Sequence, residues 1–233
     1  MQTSYTISRR DFLRASGLTV AGLALSACAP ARAQAEAPVA NADEALTRLL
    51  EGNQRYAAGK SQELNESASR RAELASGQNP FATIFSCVDS RVPPELIFDR
   101  GLGDLFIVRT AGQVIDRAVL GSLEYGVAEL HIPLLMVLGH EKCGAVKATV
   151  EAVEENAAAE ADIDWLVQGI TPAVEAAKTQ PGDLLDNAVK ANVRLTVERL
   201  KGSPILSEAL EKGELTIVGA RYDLDTGAVE VIV

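Results

Sequence analysis

Two short stretches carry side chains able to do chemistry together: Cys87-Val88-Asp89-Ser90-Arg91 and His140-Glu141-Lys142-Cys143. The chain has three cysteines and two histidines, so a cysteine and a histidine three residues apart is a marked concentration. Two thiolates and one imidazole are the donors that a borderline-soft divalent ion such as zinc favours. Three protein donors would leave one tetrahedral position free, the mark of a catalytic rather than a structural site. Taken alone, H-x-x-C is a weak signal. A buried free cysteine beside a satisfied histidine reads equally well, and Cys87 with Cys143 could form one disulfide in an oxidising compartment. His131, the other histidine, falls in the turn before a strand and so at the opposite sheet edge.

Asp89 and Arg91 stand two apart, so in extended backbone they point the same way. Most such pairs are surface ion pairs of little worth. Directly after a zinc thiolate, however, a guanidinium that keeps Asp89 ionised would let it accept a hydrogen bond from zinc-bound water or hydroxide. Zinc with two thiolates is formally neutral, and it acidifies water less than a three-imidazole site, where the pKa is about 7. The same carboxylate could instead swing onto the metal and block it.

The elements that must position these groups are legible as alternating strands and helices. Apolar runs at Phe81–Cys87, Asp104–Arg109 and Pro133–Leu138 read as strands buried on both faces. Helical spacing covers Asp116–Leu130, Ala145–Glu155, Ile163–Lys178, Leu184–Leu200 and Pro204–Lys212. This alternation predicts an α/β fold with a mostly parallel central sheet flanked by helices. A fourth strand is expected at Leu215–Gly219, and Asp225-Thr226-Gly227 turns the chain into an antiparallel edge strand at Ala228–Val233. Ligands gather beyond the carboxyl ends of such strands. Cys87 sits at the carboxyl end of the first, His140 just past that of the third, and Cys143 in the first turn of the next helix, so the fold gathers all three at one edge.

The first 33 residues read differently. Ser8-Arg9-Arg10-Asp11-Phe12-Leu13-Arg14 is a twin-arginine pattern, followed by an uncharged stretch from Ala15 to Ala27 that is short for a membrane span. Residues 1–33 are therefore expected to be an export signal, giving a periplasmic protein. Cleavage fits before Gln34, after Ala31-Arg32-Ala33. Leu25-Ser26-Ala27-Cys28 also resembles a lipobox, which would make Cys28 a lipid anchor. Residues 34–42 form an Ala/Pro-rich tether, and a domain follows from 43 to 233, opening with a helix capped by Asp43 and a polar helix over Ser67–Ala75. The net charge is −10, and loss of four arginines and one aspartate with the signal would take it to −13. That excludes charge-driven binding of nucleic acid.

At this point the chain resembles a β-class carbonic anhydrase, on Cys87-x-Asp89-x-Arg91 and His140-x-x-Cys143, with similarity over residues 43–233. The resemblance implies one Zn2+ per chain on Cys87, His140 and Cys143, and a catalytic dyad of Asp89 and Arg91. It also implies substrate binding by Gln78, Phe106 and Tyr125, partly across a dimer interface. For these three, core packing and a loop amide are the bland reading. Members with a regulatory bicarbonate site carry Trp three residues before the first cysteine. Here that position is Ile84, so an open, water-bound zinc is expected, although Arg109 matches an arginine of both subgroups. The N-terminal helices are expected to pack on a partner subunit in a homodimer or multiple of dimers.

The implied reaction is reversible hydration of CO2 to bicarbonate and a proton by zinc-bound hydroxide. Hydrolysis of carbonyl sulfide or carbon disulfide on the same site, and non-catalytic zinc binding, are the rivals. A Cys87–Cys143 redox couple lacks a C-x-x-C motif. No residue stands out as proton shuttle; His131 has a suitable pKa class but the wrong placement.

Overall fold

A computed structural model describes residues 38–233. The twin-arginine pattern, the lipobox at Cys28 and the cleavage site before Gln34 lie outside the described residues.

The first helix, α1 (Ala42–Ala57), starts two residues earlier than the sequence suggests. Asn41, not Asp43, is the N-cap: its Oδ1 accepts from Glu44 N at 2.9 Å, while Glu44 reaches back to Ala40 N. Asp43 and Glu44 then sit in the first turn, where negative charge favours the helix dipole. α1 buries Ala45, Leu49, Gly52 and Asn53. Val39, Ala42 and Leu46 pack on the same cluster. This face of α1 is turned to its own sheet. α2 (Ala68–Glu73), capped by Ser67 and ended by a short 3-10 turn at Leu74–Ser76, buries no side chain.

Among the described residues the sheet has five strands: β1 (Ala82–Ser86), β2 (Leu105–Arg109), β3 (Leu134–His140), β4 (Thr216–Tyr222) and β5 (Val229–Val231), in the order β2-β1-β3-β4-β5. The first four are parallel and β5 is antiparallel to β4. β1 and β3 are buried throughout, as expected. β2 is not: all five of its residues are half-buried, because among the described residues it has one neighbour and forms the sheet edge.

Helices α3 (Pro94–Ile97), α4 (Arg117–Ala128), α5 (Gly144–Glu155), α6 (Ile163–Ala177), α7 (Leu184–Lys201) and α8 (Pro204–Glu211) complete the fold. α3 and a 3-10 turn at Ala111–Gln113 had no sequence signal, being too short to show a period. One side of the sheet packs Ile84, Met136 and Leu138 against α1 and α3. The other packs Phe85, Leu135 and Val137 against α4, α7 and α8. α7 approaches closely because β3 carries Gly139, where a Cβ would lie 2.5 Å from Val193 Cγ2.

The chain leaves β1 towards β2 but leaves β3 towards β4, so the connections diverge between the carboxyl ends of β1 and β3. That divergence opens a crevice at the topological switch point. β3 runs two residues further than the apolar run implied, making His140 its last residue.

Candidate metal centre

Cys87 follows the last residue of β1, His140 ends β3, and Cys143 is the N-cap of α5 rather than part of its first turn. Their ligand atoms lie within 4.8 Å of one another and all three residues are buried. The sulfurs are 4.0 Å apart. A disulfide needs about 2.05 Å, whereas two sulfurs about 2.3 Å from one tetrahedral zinc stand about 3.8 Å apart. Both cysteines are free.

His140 Nδ1 lies 2.9 Å from the Glu141 carbonyl. A carbonyl only accepts, so Nδ1 holds the proton and Nε2 offers a lone pair. Nε2 is buried without a hydrogen-bond partner, a costly state unless something binds it. An orphaned imidazole nitrogen beside two sulfurs at this spacing fits a zinc ion.

The thiols interact before any metal arrives. Cys143 donates to Cys87, the largest of the effects that pull the Cys87 thiol below its ordinary value against the opposing effect of burial, and the Gly112 N–H adds to it. Cys143 is pushed up by the same donation and by burial. A bound cation would draw both to thiolates.

Asp89 is held by Arg91 in a two-pronged pair, Nε to Oδ1 at 3.0 Å and Nη2 to Oδ2 at 2.8 Å, with the Arg91 N–H adding a third bond to Oδ1 at 2.9 Å. That pairing lowers the Asp89 carboxyl to about 2. Its Oδ2 lies 3.8 Å from His140 Nε2. The carboxylate thus borders the donor set without occupying it.

Three supports were not legible as such in the sequence. Arg109 ends β2 opposite Ser86 and donates to the carbonyls of Cys87 (2.8 Å), Asp89 (2.7 Å) and Val92 (3.1 Å), stapling the whole 87–92 loop. Gly112, at φ +60, brings its N–H to 3.4 Å from Cys87 Sγ, and its carbonyl accepts from Asn192 Nδ2 at 2.7 Å. Gln113 Nε2 donates to Leu138 O at 2.6 Å, fastening that turn to β3. An arginine ending the strand beside Cys87 was the available signal.

The three residues expected to bind substrate are placed differently. Gln78 is exposed in the loop before β1. Phe106 pairs with Thr83, three residues short of the carboxyl edge, and stacks on Tyr125 with ring centroids 6.4 Å apart. Tyr125 is 49% exposed. Within one chain, no hydrogen bond or ring contact joins these three to the Cys–His–Cys group among the described residues. Ile84 is buried in the core, and His131 is exposed before β3, away from the site edge.

The mostly parallel sheet thus presents, at its switch point, a buried Cys–His–Cys group that could hold a metal ion. The carbonic anhydrase family profile matches residues 82–229. Carbonic anhydrase 2 of Mycobacterium tuberculosis is 44% identical over 191 residues, covering 82% of this chain and 92% of that protein. The carbonic anhydrase of Mycolicibacterium smegmatis is 42% identical over 195 residues, 83% of this chain and 95% of that protein. Among solved structures, the β-carbonic anhydrase CcaA matches with TM-score 0.62 at 28% identity, covering 80% of this chain and 94% of that one. The Coccomyxa β-carbonic anhydrase in complex with acetazolamide matches with TM-score 0.62 at 26% identity, covering 80% and 86%. The chain belongs to the carbonic anhydrase family, in its β class, and is an enzyme of that family.

Proposed function

We propose that this protein catalyses the reversible hydration of CO2 to bicarbonate and a proton, using one zinc ion held by Cys87, His140 and Cys143. The observation that carries this reading is the buried donor triad with an ionised carboxylate 3.8 Å from its imidazole. When bound, zinc supplies the electrophile that makes water nucleophilic near neutral pH. Asp89 accepts a hydrogen bond from the attacking water and so fixes its direction. Arg91 keeps Asp89 ionised and turned away from the donor atoms. Arg109 holds the peptide that carries both Cys87 and Asp89.

Phe106 and Tyr125 wall an apolar CO2 pocket and Gln78 hydrogen-bonds substrate, partly across a dimer interface. The unpaired edge of β2, with half-buried Leu105, Phe106, Ile107 and Val108 next to exposed Leu102 and Tyr125, supports a homodimer through this edge. Residues 1–33 direct twin-arginine export to the periplasm, with Cys28 as the alternative, lipid-bearing N-terminus. Among the described residues no helix is long and apolar enough to cross a membrane. Mass spectrometry of the mature N-terminus separates the two processing sites.

The deciding experiment measures zinc content and CO2 hydration on freshly purified protein, alongside carbonyl sulfide and carbon disulfide hydrolysis. About one zinc per chain with fast hydration supports the reading. Zinc with no hydration, or turnover confined to the sulfur substrates, overturns it.

A further inference from the structure

The loop carrying His140 and Cys143 is tied to the turn between β4 and β5, and Glu141 makes the ties. Its N–H donates to Tyr222 O at 2.9 Å, and its carboxylate Oε2 accepts from Leu224 N at 3.2 Å. Its carbonyl is the group that accepts from His140 Nδ1. One residue therefore selects the imidazole tautomer with its backbone and anchors that backbone with its side chain.

The turn it grips is itself held. Asp223 Oδ1 accepts from Asp225 N at 3.2 Å and from Thr226 N at 2.9 Å. From α1, buried Asn53 donates to Gly227 O and accepts from Val229 N, both at 2.8 Å. An unbroken set of bonds thus runs from α1 through the turn to the imidazole. The next residue, Lys142, adopts φ +53 without being glycine, so the backbone here sits in a sparsely populated region and needs holding. Lys142 Nζ also meets Asp225 Oδ2 and Glu141 Oε1 at 3.1 Å, but Lys142 and Asp225 are exposed, and such contacts contribute little.

We infer that Glu141 is a positioning residue for the metal centre: its carboxylate, through the Leu224 N–H, holds the peptide whose carbonyl keeps His140 Nε2 aimed at the ion. This rests on the zinc reading above, though not on the identity of the substrate. Outer hydrogen bonds of this kind change metal affinity by about 10–100-fold.

The test follows zinc release from the intact holoprotein to a chromogenic chelator, for wild type, Glu141→Ala and Glu141→Gln. Thermal melting of each metal-free protein and the visible spectrum of each cobalt(II)-substituted form accompany it. Glu141→Ala is expected to release zinc about 10–100-fold faster, with an altered cobalt spectrum and metal-free melting close to wild type. Glu141→Gln keeps an oxygen acceptor for Leu224 N and is expected within about threefold of wild type. Glu141→Ala releasing zinc at the wild-type rate would overturn the inference. Equal losses in both variants would also do so, since they would assign the effect to charge. Faster release matched by a collapse of metal-free melting would assign it to folding and sink it too. A wild-type protein that binds no zinc would bring down the zinc reading, and this inference with it.

Discussion

The carboxyl ends of β1 and β3 and the outer edge of β2 are built in opposite ways. At the first, every donor is buried and the loops are fastened by side chains reaching in from β2, the 3-10 turn and α7. At the second, a half-buried strand has one neighbour and Tyr125 stands 49% exposed. The difference assigns two jobs to two regions. The metal donors and their carboxylate are assembled within one chain, where burial and fixed dipoles can tune them. Gln78 and Tyr125, two of the residues proposed to contact substrate, are left open at a surface, where the proposed second copy would use them.

The division of labour between the two regions fails most severely if the donor set is not complete in one chain. His140→Ala should reduce zinc to near zero by metal analysis and turnover to the uncatalysed rate, because two thiolates alone leave a loose site. Retention of zinc would mean that another group, from elsewhere, completes the triad.

Asp89→Asn tests the carboxylate without touching the donors. Zinc should remain, and turnover should fall by roughly 10²- to 10³-fold, as for lost proton-handling groups. The pH behaviour follows from the direction of the shift. The folded carboxyl, at about 2, lies below the unfolded value of about 3.9. Its pairing therefore favours the fold above about pH 3.9, and that contribution disappears as pH falls through about 2. An acid limb of activity above pH 4 thus belongs to another group. Arg91→Gln should move the Asp89 titration upward, as read by carboxylate carbon NMR. An unmoved titration would show that the guanidinium is not what holds it down.

The open edge is tested by complementation. Cys87→Ala chains lack a donor and Gln78→Ala chains lack a substrate contact. If Gln78 serves the neighbouring copy, co-expressed chains should recover roughly a quarter of wild-type turnover, since half the dimers are mixed and each holds one intact site. Activity no higher than the average of the two separate proteins would place Gln78 in the same chain as the site it serves.

Sequence and structure part along the same line. Cys87, His140 and Cys143 were legible because donor chemistry is carried by residue type and strand ends are marked by where apolar runs stop. The edge position of β2 was not, since Leu-Phe-Ile-Val reads alike in a central strand and in one whose second neighbour is missing. Asn41 outcompeted Asp43 as cap for a reason that spacing cannot show, namely its extended backbone and the reciprocal reach of Glu44. The Gly112 N–H that meets Cys87 and the Glu141 carbonyl that meets His140 are backbone groups, which every residue possesses, so no pattern of side chains announces them.

Arg109 joins the two regions, since it belongs to the open strand yet serves the closed site. Its guanidinium satisfies three carbonyls of the 87–92 loop, and a planar fork of five donors is suited to that as an ammonium is not. Replacing it by leucine would strand those carbonyls in a part-buried position, at about 2–3 kcal/mol of stability. For a domain of this size that corresponds to a fall in Tm of roughly 5–10 °C. Arg109→Lys reaches fewer of the carbonyls and should lose about half as much. Zinc content should hold in both variants, because no donor atom is removed. A leucine variant melting with wild type would mean that the loop is held by its own turn, at Val92 N to Asp89 O, and that β2 contributes nothing to the metal edge.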